Sequence, residues 1–142
     1  TWRIQLLRAY GHAYAAQGKE QESLAKFREA LALEPVQTPT WYFIQNNLGY
    51  CLVTQGKPAE AEVYCRKAIE IDPLYAEAYN NRGNAYAHIK EYKEAVTNFS
   101  RAIEIDPGMA AAYFNRATAR AAMGDTNEAE YDFEKFRSLI LV

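Results

Sequence analysis

AIEIDPLYAEAYNNRGNAYA, residues 68–87, returns 34 residues later as AIEIDPGMAAAYFNRATARA, residues 102–121, with 13 of 20 positions identical. A fixed period of this length marks a repeat architecture, in which each unit is one supersecondary element and neighbours stack to bury a shared core. The period is that of a helix–turn–helix repeat, so the chain reads as a short helical solenoid.

Working outward from this stretch, Gly11, Gly49 and Gly83 occupy equivalent positions, 38 and then 34 residues apart. In the first repeat one helix is expected over residues 2–17, with Leu7, Tyr10, Gly11 and Tyr14 on one face. Gly18 breaks it. A second helix carries Leu24, Phe27, Ala30, Leu31 and Leu33 at helical spacing and stops at Glu34, because the residue before Pro35 is pushed out of the α region. The four extra residues before the second repeat are close to one helical turn. Thr38 followed by Pro39 reads as an N-cap with proline in the first turn, so the next helix is expected to start near Pro39 and to project Trp41, the alternative being a longer loop before a helix of normal length. That repeat turns at QGKP and resumes at Pro58, a residue suited to a helix start. The third repeat turns at residues 88–91, with Lys90 where the others have glycine; a left-handed conformation kept there carries strain. The fourth turns at residues 123–125. No strand pattern and no domain-splitting linker stands out.

Composition bounds the function. The chain has 142 residues, 49% hydrophobic and 24% charged, with a formal net charge of −2. No Lys/Arg stripe is present, which argues against a nucleic-acid partner. No apolar run approaches a membrane span and no signal-peptide pattern appears, so no membrane partner and a cytoplasmic location are expected. The abrupt opening at Thr1 and the apolar end at residues 139–142 read as a segment of a longer protein. Cys51 and Cys65 fit neither a metal spacing nor a redox motif, and both read as buried core residues, with a disulfide as the alternative. No phosphate loop, zinc-protease helix or nucleophile motif occurs, and His12 and His88 fall two repeats apart. The chain is therefore expected to be no enzyme and to hold no cofactor and no metal.

The residue pattern resembles the tetratricopeptide repeat, W-x2-L-G-x2-Y, then A-x3-F, then A and P. The third repeat shows Tyr79, Arg82, Gly83, Tyr86, Ala95, Phe99, Ala102 and Pro107; the first shows Leu7, Tyr10, Gly11, Tyr14, Ser23, Phe27, Ala30 and Pro35. The second has Gln45 in the Trp slot, Leu52 in the Tyr slot and Cys65 in the Phe slot. The fourth has Tyr113, Arg116, Ala117, Ala129 and Phe133, but Phe136 for the second Ala and Leu141 for the Pro. The resemblance implies an all-α fold: one domain over residues 1–142, a right-handed α-solenoid of four helix–turn–helix repeats (eight helices) at about residues 4–37, 42–75, 76–109 and 110–142.

It also implies a function, a protein–protein interaction scaffold that holds an extended peptide in a concave groove lined by the first helix of each pair. Mapped here, the groove positions include Arg8 and His12 in the first repeat, Phe43, Asn46, Asn47 and Tyr50 in the second, Glu77, Asn80, Asn81, Asn84 and His88 in the third, and Phe114, Asn115 and Thr118 in the fourth. This surface is almost uncharged. Asn47, Asn81 and Asn115 share one place in successive repeats, although asparagine is a mediocre helix former. Such a ladder offers amides to the backbone of a bound strand, as in the repeats that resemble those of O-linked GlcNAc transferase; alternatively it satisfies neighbouring helix groups. Phe43, Tyr50 and Phe114 read either as pockets between the amides or as core packing. The carboxylate clamp of repeats that take acidic Hsp70 and Hsp90 tails is not matched, because its slots hold Arg8, His12, Asn47, Glu77 and Asn81 in one register and lack the basic pair. Two other functions compete: self-association through an uncapped C-terminal end near Phe136, Leu139 and Ile140, giving a homo-oligomer, and a substrate-selecting region of a larger enzyme.

Overall fold

The computed structural model describes residues 2–33, 45, 48–49, 52–53 and 55–141. Among these, seven helices are delimited: α1 Trp2–Ala16, α2 Glu20–Leu33, α3 Pro58–Ile71, α4 Ala76–His88, α5 Tyr92–Ile105, α6 Ala110–Ala122 and α7 Thr126–Ile140. Gln45, Leu48, Gly49, Leu52 and Val53 are also helical. The expected start of a helix near Pro39, the projection of Trp41, the end of α2 at Glu34 and the burial of Cys51 lie outside the described residues. No strand occurs among the described residues. The chain divides into two compact units, residues 1–73 and 74–142.

One turn is used four times. In each, the backbone N–H of one residue donates to the carbonyl five back: Lys19 to Tyr14 (2.9 Å), Lys57 to Leu52 (2.8 Å), Glu91 to Tyr86 (2.9 Å) and Asp125 to Arg120 (2.9 Å). The residue before it donates to the carbonyl three back, as in Gly18 to Ala15 (3.0 Å) and Lys90 to Ala87 (3.0 Å). This is the Schellman arrangement, and its penultimate residue must be left-handed. Gly18 (φ 73°), Gly56 (φ 73°) and Gly124 (φ 86°) meet that demand without cost; Lys90 meets it at φ 64°. The repeated turn geometry holds this lysine in the glycine conformation, so the strain that a left-handed lysine carries is present here. The longer connections stop at Asp72 and Asp106, whose N–H groups close onto Ala68 and Ala102, and proline follows each.

Within the first unit, α1 packs on α2. The two helices approach closely because Gly11 has no side chain: a Cβ there would meet the Phe27 ring at 2.8 Å. Ser23 ties the same crossing, its Oγ donating to the Gly11 carbonyl at 2.8 Å. Gly49 faces the buried Cys65 Sγ, 2.6 Å from where a Cβ would stand. Leu24, Phe27, Leu48, Leu52 and Cys65 are almost wholly buried. Tyr10 shares the first helix with Leu7 and Gly11 but is exposed, so the inward stripe there is narrower than its aromatic content suggests.

In the second unit α4 packs on α5, α5 on α6 and α6 on α7, with a lighter contact between α4 and α6. Gly83 repeats the notch of Gly11, with Phe99 2.5 Å from a would-be Cβ. Phe99 is fully buried among Ala95 and Ala119, with Tyr86 and Tyr92 packed against them. A second cluster joins Ala76, Ala102 and Ala112 to Tyr79, Ile103 and Met109. Small residues set the helix separation and the aromatics fill what is left. Burying one such phenylalanine contributes about 1.5–3 kcal/mol.

Candidate functional site

The groove positions of the second unit sit on α4 and α6. Asn84 and His88 come from the last two turns of α4, and Phe114, Asn115 and Thr118 from the middle of α6. The structure brings these five together around a cavity of about 280 Å³, closed behind by Tyr92 and Phe99 of α5. The i, i+4 spacing of Asn84 with His88, and of Phe114 with Thr118, puts each pair on one helix face. Phe114 remains 45% exposed and is braced from the far side by Phe133 and Phe136, ring centroids 5.8 Å and 5.1 Å away. Among the described residues, neither lysine nor arginine lines this cavity. It offers an aromatic wall, two amides, an imidazole and the hydroxyls of Tyr92 and Thr118, and the Thr118 hydroxyl is turned onto the Phe114 carbonyl of its own helix at 3.0 Å.

The asparagines separate into two kinds. Asn115 Nδ2 donates to Asn80 Oδ1 at 3.1 Å, linking α6 to α4 across the repeat boundary. Asn81 is buried, with 7% exposure. Of the ladder, then, Asn81 is an interior residue and Asn115 gives one donor to a neighbouring helix, which favours the alternative that these amides satisfy helix groups. Asn47 lies outside the described residues, as do Phe43, Asn46 and Tyr50. Glu77 is exposed and accepts from the Tyr75 hydroxyl at 3.3 Å.

In the first unit, His12 stands edge-on to the Phe27 ring at 5.1 Å, beside Arg8. Partial burial, and then the Arg8 charge, lower its pKa from 6.5, so its neutral form is favoured. Cover and a neighbouring cation both disfavour a second positive charge. Among the described residues, no group of three His, Cys, Asp or Glu side chains is placed to hold a metal ion, and no helix is long and apolar enough to cross a membrane.

A feature missed in the sequence is an ion cluster beneath the last pair. Asp132 on α7 is fully buried. Arg116 grips it with two parallel bonds, Nε to Oδ2 at 2.9 Å and Nη2 to Oδ1 at 2.7 Å, and Arg120 adds a third at 2.8 Å. Arg116 Nη1 also donates to Ser100 on α5 at 3.1 Å. The available signal was two arginines four apart on α6, facing a single acid at a position where the preceding repeat has Asn98.

The Tetratricopeptide repeat family model matches residues 42–75 and 76–109. A solved structure, the second TPR of Spaghetti (RPAP3) bound to the HSP90 peptide SRMEEVD, is 32% identical, with a TM-score of 0.66 over 69% of this chain and 91% of that one. The chain belongs to the tetratricopeptide-repeat family. This repeat protein also superposes on MamA 41-end from Desulfovibrio magneticus RS-1 with a TM-score of 0.81, over 96% of this chain and 75% of that one, at 20% identity. That likeness shows the α-solenoid fold. Among curated proteins, the DnaJ homolog subfamily C member 3 homolog of Dictyostelium discoideum is 33% identical over 88 residues, 59% of this chain. The chain spans only 17% of that relative's length.

Proposed function

We propose that this tetratricopeptide-repeat protein is a protein-interaction module that holds an extended, largely uncharged segment of another polypeptide. The observation that carries the reading is the 280 Å³ cavity in which Asn84, His88, Phe114, Asn115 and Thr118 converge beside exposed aromatic surface. An aromatic wall supplies desolvation energy, and amides placed beside it fix a peptide's orientation. Two RPAP3 repeat domains bound to a peptide support the general mode. Their peptide, SRMEEVD, is acidic; the absence of lysine and arginine from this cavity favours a different, neutral ligand here.

The test is selection of binders from a displayed peptide library, followed by Phe114→Ala and Asn84→Ala. Each variant is expected to weaken capture roughly tenfold, as truncation at an anchoring position does. Helix content and melting should be unchanged for Asn84→Ala, which is half-buried rather than core. Selected peptides whose affinity is indifferent to both changes would overturn the reading.

A further inference from the structure

At about 280 Å³, the cavity between α4, α5 and α6 is smaller than the roughly 300–1,000 Å³ of sites that enclose a drug-sized ligand, and it suits one side chain of a bound polypeptide. Its sides differ in chemistry. From α6 comes the half-exposed ring of Phe114, held in place by Phe133 and Phe136. From α4 come Asn84 and His88, one turn apart on one helix face, and from α5 the Tyr92 hydroxyl. Among the described residues, none hydrogen-bonds the side chain of Asn84, His88 or Tyr92. Asn115 and Thr118 have each used a donor, on Asn80 and on the Phe114 carbonyl. What is left unspent is a carboxamide, an imidazole and a phenol, which together both donate and accept.

These groups select among side chains. Leucine or phenylalanine would take water from the carboxamide and the imidazole without replacing its hydrogen bonds, and a polar group covered in that way is costly. A carboxamide occupant would satisfy those groups but leave the face of Phe114 unfilled. A carboxylate would bring its charge into a lining that holds, among the described residues, no lysine or arginine. Tryptophan offers a donor alone. Tyrosine meets both sides, since its ring is an aromatic body and its hydroxyl both donates and accepts. We propose that this cavity is a tyrosine pocket. On the reading that the chain captures an extended segment here, that segment lays a tyrosine ring against Phe114 and sets its hydroxyl on the Asn84 and His88 pair. A phosphorylated tyrosine is excluded by the same lack of cations.

The test is an amide-resolved NMR titration of the whole chain with the blocked tripeptide acetyl-Gly-Tyr-Gly-amide, with its Phe, Leu and phosphotyrosine counterparts as separate arms. Saturable shifts at Asn84, Thr118 and Ala119 are expected with the Tyr peptide. Affinity should be about fivefold weaker for the Phe peptide, as the loss of one hydrogen bond predicts, and weaker still for phosphotyrosine. Asn84→Ala combined with His88→Ala, which leaves α4 a good helix former, should erase the preference for Tyr over Phe while both peptides still bind. The proposal fails if the Phe, Leu or phosphotyrosine peptide binds as tightly as the Tyr peptide, if the Tyr peptide gives no saturable shift at these residues, or if the double variant keeps the preference. Library-selected peptides separate that failure from failure of the proposed function. Binders that lack tyrosine yet lose affinity in Phe114→Ala overturn the tyrosine assignment alone, whereas binders indifferent to both Phe114→Ala and Asn84→Ala overturn capture at this cavity.

Discussion

Lys90 is held in a backbone conformation that suits glycine. Its place in the 34-residue period is that of Gly56 and Gly124, and the backbone there is left-handed at φ 64°. A Cβ in that region costs about 1–2 kcal/mol, partly offset by the greater freedom glycine has when unfolded. Lys90→Gly should therefore stabilise the chain by about 0.5–1 kcal/mol, seen as a higher urea midpoint at unchanged m-value. The glycines of the helix crossings were equally legible, because Gly11 and Gly83 recur with an aromatic sixteen residues later and the contact follows. The asparagines were not. Register alone fixes a residue to a helix face, but whether an amide points to a ligand or to the next helix depends on its neighbour across the boundary, here Asn80 for Asn115.

At the scale of elements, helix existence and pairing were legible throughout the described residues, since local turn chemistry and apolar spacing agree. What could not be read was the polar bracing of the last pair. It depends on where α6 and α7 cross, which sets Asp132 against Arg116 and Arg120 rather than against water. Asp132 has no exposure, while Arg116 retains 12% and Arg120 21%. Removing one partner of a buried pair strands the other charge, so Asp132→Ala should cost about 3–5 kcal/mol of unfolding free energy in urea titration. Replacing Arg116 with Met and Asp132 with Leu together should recover most of that loss, because a packed apolar pair needs no desolvation of charge. A double variant no more stable than Asp132→Ala would show that the arginine does more than neutralise the acid.

Across the whole molecule, the neutral lining of the Phe114 cavity predicts a weak response to salt. Charges exposed to solvent are screened over about 8 Å at physiological ionic strength. Peptide capture at the neutral cavity of Phe114 should change less than about twofold between low and high salt. Isothermal titration at two salt concentrations checks this, and a severalfold loss at high salt would count against that cavity as the site. The repeated Schellman turn has a further consequence, for how the chain reaches this state. Each turn closes a hairpin between helices adjacent in sequence, and the notches that lock those hairpins join residues only sixteen apart, Gly11 with Phe27 and Gly83 with Phe99. Contacts so local close small loops at small entropic cost. Several equivalent hairpins then serve as starting points, and folding spreads by docking each onto its neighbour rather than waiting on a single long-range nucleus.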